Sequence, residues 1–190
     1  AVLYRTNAQS RNFEEAFRKF NIPYKVYGGI SFYQRKEIKD LMGYFRLCLN
    51  VHDEEALMRT INYPTRGIGK TTQDKLVEAA SQHAVPVWKV MNAPDTYLPS
   101  LNKATANKIT SFVKLINEFT KISQETNAYD AAMTIASRSG ILKEFENPTN
   151  IEEQSKSENL QELLNGIKDF TDHYPGEEMP LLQEYIENIS

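Results

Sequence analysis

The sequence contains a single cysteine and no long hydrophobic run. Cys48 has no second cysteine with which to form an internal disulfide. It falls in an apolar helical stripe, which favours a small buried side chain over a reactive thiol. The longest apolar runs are only a few residues long, too short for a membrane span, and no charged-then-apolar leader indicates secretion. These absences predict a cytoplasmic protein with no membrane partner.

Histidine is also scarce, and no group of histidines and cysteines has the spacing of a metal site. We therefore expect this chain to hold no metal and no cofactor of its own. The three histidines are scattered along the sequence and are expected on the surface: His52, His83 and His173.

Acidic residues slightly outnumber basic ones, and the formal net charge is −3. The two signs are unevenly distributed. Residues 1–110 contain 16 Lys or Arg against 10 Asp or Glu, whereas residues 111–190 contain 6 against 15. This asymmetry fits ordinary solvated surfaces, and it fits equally well a front half that faces a polyanion and an acidic back half.

The first 29 residues differ in pattern from the rest. Residues 1–4 read as a buried strand, residues 8–20 carry apolar side chains at helical spacing, and residues 24–27 alternate like a second strand. Parallel strands need neighbouring strands to cover their faces, and no further strand-rich segment follows. We therefore predict a short β-α-β piece of a larger α/β domain, with a separate domain from residue 30 onwards.

Residues 30–190 predict a mainly α, all-helical domain. Apolar residues recur there at intervals of three and four, the pattern of amphipathic helices. Asn127 is placed to cap a helix that ends near Gly140. Residues 94–100 and 147–155 are the expected exposed loops. The clearest helical segments lie within residues 38–49, 54–62, 72–80, 110–122, 158–170 and 179–189.

The segment YPTRGIGKTTQDKL, residues 63–76, admits two interpretations. Its Gly69-Lys70-Thr71 resembles the end of a nucleotide-binding P-loop. That loop needs a glycine five positions before Gly69, where this sequence has Pro64, which has no N–H to offer a phosphate. The preceding residues also indicate a helix and not the buried strand that a P-loop follows. The pattern therefore disfavours a P-loop.

The second interpretation is a helix-hairpin-helix-like element with residues 67–69 at its turn. One helix would end near Pro64, and Thr71 or Thr72 would cap the next. Two glycines permit positive φ and leave N–H groups uncovered, while the isoleucine between them enters the core. Such N–H groups at a helix N-terminus favour a phosphate oxygen and read no bases, so they would hold duplex DNA of any sequence. The alternative is an ordinary corner between two helices. The residues expected at the duplex contact are Arg66, Gly67, Ile68, Gly69, Lys70, Thr71 and Thr72.

Three segments carry a recognisable signature: AVLYRTNAQSR (1–11), VYGGISFYQRKEIKDLMGYFRL (26–47) and INYPTRGIGKTTQDKL (61–76). A weaker match, SKSENLQELL (155–164), follows them. Together they closely resemble the UvrD/Rep/PcrA group of superfamily 1 DNA helicases. The resemblance implies that residues 1–29 belong to the second RecA-like motor domain, 2A, and that residues 30–190 form the helical 2B insertion.

The resemblance also implies roles for individual residues. Arg5 and Asn7 match positions expected to contact the phosphate or sugar of single-stranded DNA, although Asn7 is equally well placed to cap a helix. Arg35, Glu37 and Asp40 lie where the family joins motor to insertion. They are expected either to form salt bridges that set the orientation of the insertion, or simply to be solvated. The turn at residues 67–69 matches the duplex-contacting hairpin of the family.

The whole resemblance implies part of an ATP-dependent 3′-to-5′ DNA helicase of repair or replication, with DNA and repair or replication proteins as partners. The parent enzyme would use ATP and magnesium. The nucleotide-binding motifs of the family do not occur in this sequence, so the chain alone is expected to be inactive. The alternative is a regulatory or protein-docking module, with little DNA binding of its own, whose acidic residues 111–190 serve protein partners.

Overall fold

The computed structural model describes residues 1–189, apart from the side chain of Asn7. Within that part of the chain, α-helices and two short 3-10 helices (Asn7–Gln9 and Phe32–Gln34) are present and no β-strand occurs. The mainly helical prediction is therefore confirmed. The helices are α1 (Ser10–Lys19), α2 (Lys36–Leu49), α3 (Glu54–Thr60), α4 (Lys70–His83), α5 (Val87–Asn92), α6 (Pro94–Tyr97), α7 (Lys103–Glu125), α8 (Ala128–Ser139), α9 (Ile141–Glu144), α10 (Ile151–Asp172) and α11 (Leu182–Ile189).

The hydrophobic core lies among α2, α7, α8 and α10. Helix α2 packs against the other three, and α8 also contacts both α7 and α10. The apolar stripe predicted for α2 faces this core, where Tyr44 and Phe45 are fully buried. Cys48 lies in the same stripe and is 1% exposed, and burial raises the pKa of its thiol, as expected for an unreactive side chain.

Two helix boundaries follow from side-chain caps. The Asn127 side chain accepts a hydrogen bond from the Asp130 N–H, and α8 ends at Gly140 with φ +90°, so both predicted ends are confirmed. The expected loop at residues 147–155 is only partly a loop. The Asn150 side chain accepts from the Glu153 N–H and starts α10 at the next residue, a cap that the apolar pattern of this helix did not reveal.

The structure does not form the two strands predicted near the N-terminus. Helix α1 is present, but residues 1–4 and 24–27 have no strand conformation. A strand is held by hydrogen bonds to a neighbour, and neither segment has one among the described residues. The hydrophobic side chains there remain uncovered, because nine of the twelve exposed large hydrophobic residues lie within residues 1–30.

The three histidines are exposed, as predicted. No group of three or more His, Cys, Asp or Glu within the described residues is arranged to hold a metal ion. No described helix is long and apolar enough to cross a membrane.

Candidate nucleic-acid interface

The turn between α3 and α4 is shaped from within by one amide side chain. The Oδ1 atom of Asn62 accepts hydrogen bonds from the backbone N–H groups of Arg66 and Ile68, both at 3.0 Å. Ile68 is fully buried, as predicted, and anchors the turn in the core. Gly67 has φ +72°, a conformation that favours glycine. The turn is therefore a fixed structure with a buried centre and exposed flanks.

Helix α4 begins earlier than the sequence suggested. Gly69 occupies the N-cap position, and its carbonyl accepts from the N–H groups of Thr72 and Gln73. Thr71 and Thr72 therefore lie inside the first turn, and neither caps the helix. Gly69 also has an ordinary φ of −70°, so only Gly67 uses the positive φ that was expected of both glycines.

Four backbone N–H groups at this turn are free of internal partners. Those of Gly67, Gly69, Lys70 and Thr71 find no acceptor within the described chain, and all four residues are exposed. The last three lie at the start of a 14-residue helix whose first turn carries no acidic residue. The helix dipole adds positive potential there, so the arrangement suits an anionic oxygen.

The guanidinium of Arg66, expected beside a phosphate, points into the protein. It donates to the carbonyl oxygens of Thr60 at 3.2 Å, Pro64 at 2.9 Å and Ser139 at 2.7 Å. The guanidinium carbon of Arg66 also lies 5.5 Å from the ring centres of Tyr44 and Phe112. Thr60 and Ser139 are the last residues of α3 and α8, so Arg66 donates to the carbonyl ends of two helices, where positive charge is favourable.

Tyr44 supports the same turn from below. Its hydroxyl donates to the carbonyl oxygens of Tyr63 at 2.6 Å and Thr60 at 3.1 Å. Burial raises the pKa of the Tyr44 phenol, which favours the protonated form that donates these hydrogen bonds. The backbone before the turn is thus held by two side chains, Tyr44 and Arg66.

Two lysines supply positive charge on the exposed side of the turn. Lys70 is exposed and forms an ion pair with Asp74 at 2.8 Å. Lys108, on α7, is exposed and forms no ion pair with any described residue. A Cβ atom built on Gly67 would lie 2.5 Å from the Lys108 ammonium nitrogen, which places that ammonium against the turn. Sequence reasoning missed Lys108 because it is about forty residues away along the chain, with no local motif.

The predicted single-strand contact lies elsewhere, before α1. Arg5 is exposed, and the Oε1 atom of Gln9 accepts from the N–H groups of Arg5 at 2.9 Å and Thr6 at 3.2 Å. The side chain of Asn7 lies outside the described part of the structure. The loop before α1 is therefore held by Gln9, which sequence reasoning did not single out.

The three residues predicted at the junction are buried, which rules out the solvated alternative. Asp40 is 3% exposed and pairs with Lys36 at 2.6 Å and Arg59 at 3.0 Å. Glu37 accepts from the Asn159 amide at 2.7 Å. Arg35 donates to a backbone carbonyl, that of Ile30, at 3.2 Å. Salt bridges are present as expected for Asp40, whereas Glu37 and Arg35 use neutral partners.

Comparison with known proteins shows the same family along nearly the whole chain. The family model of the UvrD-like helicase C-terminal domain matches residues 1–190. The chain is 35% identical over 182 residues to the ATP-dependent DNA helicase PcrA of Staphylococcus aureus (strain Mu50), and 37% identical over 182 residues to that of Staphylococcus epidermidis (strain ATCC 12228). Each match covers 96% of this chain and 25% of the relative, so the chain spans about a quarter of the length of these relatives.

Proposed function

The chain belongs to the UvrD-like helicase C-terminal domain family, and from this membership we propose that it is part of an ATP-dependent 3′-to-5′ DNA helicase of repair or replication. Its PcrA relatives are named as ATP-dependent DNA helicases. The parent protein would act in the cytoplasm, with ATP and magnesium bound by parts outside this chain. DNA would be its main partner, beside repair or replication proteins.

Within that enzyme, the turn between α3 and α4 holds duplex DNA by its backbone. The observation that carries this proposal is that four exposed residues, Gly67, Gly69, Lys70 and Thr71, have backbone N–H groups without an acceptor in the described chain. Amides of this kind, at a helix N-terminus, bind phosphate oxygens without reading bases. A helicase that moves along DNA meets duplex of every sequence. A contact that does not depend on sequence therefore suits DNA unwinding.

The side chains around the turn divide into two roles. Lys70 and Lys108 supply the charge that attracts phosphate, because Lys70 is exposed at the start of α4 and the Lys108 ammonium lies against Gly67. Arg66 and Ile68 maintain the shape of the turn, because their side chains are committed to carbonyl groups and to the core. Thr72 belongs to the second group: its N–H bonds to the Gly69 carbonyl and so helps to form the first turn of α4.

Residues 1–29 are a piece of the 2A motor domain, in which Arg5 and Asn7 form part of the single-strand track, and residues 30–190 are the 2B insertion. The exposed hydrophobic side chains of residues 1–30 support this, because they suit a segment that packs against further motor strands. Arg35, Glu37 and Asp40 form the joint between the two parts. Their burial supports a role in fixing orientation.

A binding assay with fluorescent hairpin DNA tests the duplex contact. The double variant Lys70→Ala/Lys108→Ala removes two phosphate-facing charges, and each such contact contributes about 0.9 to the slope of log K against log salt concentration. We expect the slope to fall by roughly 1 to 2 and the affinity to fall at low salt. The matched control is Lys89→Ala/Lys114→Ala, two exposed lysines away from the turn. Equal losses in both double variants would refute a localised contact.

A further inference from the structure

The N-terminal end of α1 is fastened to α10 by a buried arginine. The Arg11 side chain is 4% exposed and forms ion pairs with Glu15 at 2.8 Å and Glu162 at 3.0 Å. A second hydrogen bond joins its Nε atom to Glu162 at 3.0 Å. The more distant carboxylate of Asp169 lies 3.8 Å away. A guanidinium removed from water in this way is stable only with such partners.

Helix α10 has a glycine, Gly166, where the Arg11 guanidinium packs against it, and we call this gap in the side chains of α10 the notch. Gly166 is buried in the middle of α10, and a Cβ atom built on it would overlap Arg11, with the guanidinium carbon only 2.6 Å away. Glycine in a helix interior is unfavourable by about 0.5–1 kcal/mol relative to alanine. Its presence here is explained by the space that Arg11 requires.

We propose that Arg11 is a positioning residue for the single-strand contact, a role that rests on the proposed function of Arg5 and Asn7. Arg11 is the second residue of α1, and the 3-10 helix Asn7–Gln9 precedes α1 without a gap. Gln9 in turn holds the backbone of Arg5. The fastening of Arg11 on Gly166 therefore fixes the base of the loop that carries the contact.

Other contacts also hold α1: the 3-10 helix Asn7–Gln9 before it packs against α10, and Ser10 at its start is buried. Glu14 accepts from the Phe32 N–H at 2.9 Å, and Arg18 donates to the carbonyl of Ile189 at 2.5 Å. They hold the middle and the C-terminal end of α1. Loss of the Arg11 ion pairs should therefore loosen the packing of the loop end on α10, while Glu14 and Arg18 keep the rest of α1 in place.

The sharpest variant is Gly166→Ala, which favours the α10 helix locally yet closes the notch. It should be made in the longest form of the protein that carries this chain. We expect affinity for oligo-dT to fall at least about fivefold, while affinity for duplex hairpin DNA stays within about twofold. Arg11→Met removes the guanidinium. In that background, adding Gly166→Ala should cause no further loss of oligo-dT affinity. Glu162→Gln weakens the Arg11 ion pair and should lower oligo-dT affinity in the same direction. Glu158→Gln, which changes an exposed acid on α10, is its control and should not.

Spin labels at Asn12→Cys and Lys114→Cys, both exposed positions, report the fastening independently of DNA. The α1–α7 distance distribution should broaden in Gly166→Ala. An unchanged distribution would overturn the fastening. A broader one with unchanged oligo-dT affinity would overturn the positioning role, as would an equal loss of single-strand and duplex affinity. If the parent protein failed to bind oligo-dT at all, the proposed single-strand contact itself would be wrong, and the distances would still decide the fastening.

Discussion

The proposed junction at residues 35–40 and the turn at residues 66–72 use their polar groups in opposite ways. At the junction the carboxylates and the guanidinium are buried and bonded within the chain. At the turn four exposed residues have N–H groups that lack partners within the described residues. Polar groups already bonded inside the protein stabilise its shape, whereas those without partners are available to a ligand.

The largest effect is expected at the junction. Asp40→Asn removes a 3%-exposed carboxylate and leaves Arg59 without its charge partner. We expect the free energy of unfolding to fall by about 3 kcal/mol, at the lower end for a broken buried pair because Arg59 keeps contact with water. Urea denaturation measures the change. A loss no larger than that of the control Asp74→Asn, which breaks an exposed pair, would contradict the contrast between the two regions.

The next largest effect tests the assignment of Arg66 to the fold. Arg66→Ala leaves the carbonyl oxygens of Pro64 and Ser139 without a donor, while Thr60 keeps its bond from Tyr44. Hydrogen bonds to charged groups are worth about 1.5–3 kcal/mol each. Because Arg66 is partly exposed and water can replace some bonds, we expect a loss of about 2 kcal/mol in a thermal or urea melt. Unchanged stability together with lost DNA affinity would contradict this assignment and would show that Arg66 contacts phosphate.

A smaller effect is expected from the acid beside the turn. Asp74→Asn removes the carboxylate that pairs with Lys70, so the local potential becomes more positive. We expect affinity for duplex DNA to rise by a few fold at low salt, about 0.5–1 kcal/mol, and stability to change by less than about 1 kcal/mol. Fluorescence anisotropy at two salt concentrations measures it. A fall in affinity would mean that phosphate does not approach this side of α4.

What the sequence predicted well was local. The helical stripes, the burial of Ile68 and Cys48, and the Asn127 cap all depend on residues within one or two turns of each other, and the structure confirms them. The N-terminal strands were predicted from the same kind of local pattern and did not form. A helix satisfies its own backbone, whereas a strand needs a neighbour that the described chain does not provide.

The site was only partly predictable for a similar reason. The motif located the turn, but not the direction of the Arg66 side chain, because the acceptor in its shortest hydrogen bond, the Ser139 carbonyl, is 73 residues away along the chain. Lys108 reaches the turn from α7, also far away in sequence. Only the packing of α7 and α8 beside the turn reveals which cations face outward and which are enclosed.

One pair of substitutions tests the central claim most directly: Gly69→Pro against Gly69→Ala. Gly69 has φ −70°, which proline adopts without strain, and a Cβ there meets no atom within 4 Å. Proline removes the exposed N–H, whereas alanine keeps it. If that N–H donates to a phosphate, Gly69→Pro should weaken binding to duplex hairpin DNA by about 1.5–3 kcal/mol, the range for a hydrogen bond to a charged group. Gly69→Ala should bind like the parent protein, and equal affinity of the two variants at equal stability would contradict the account.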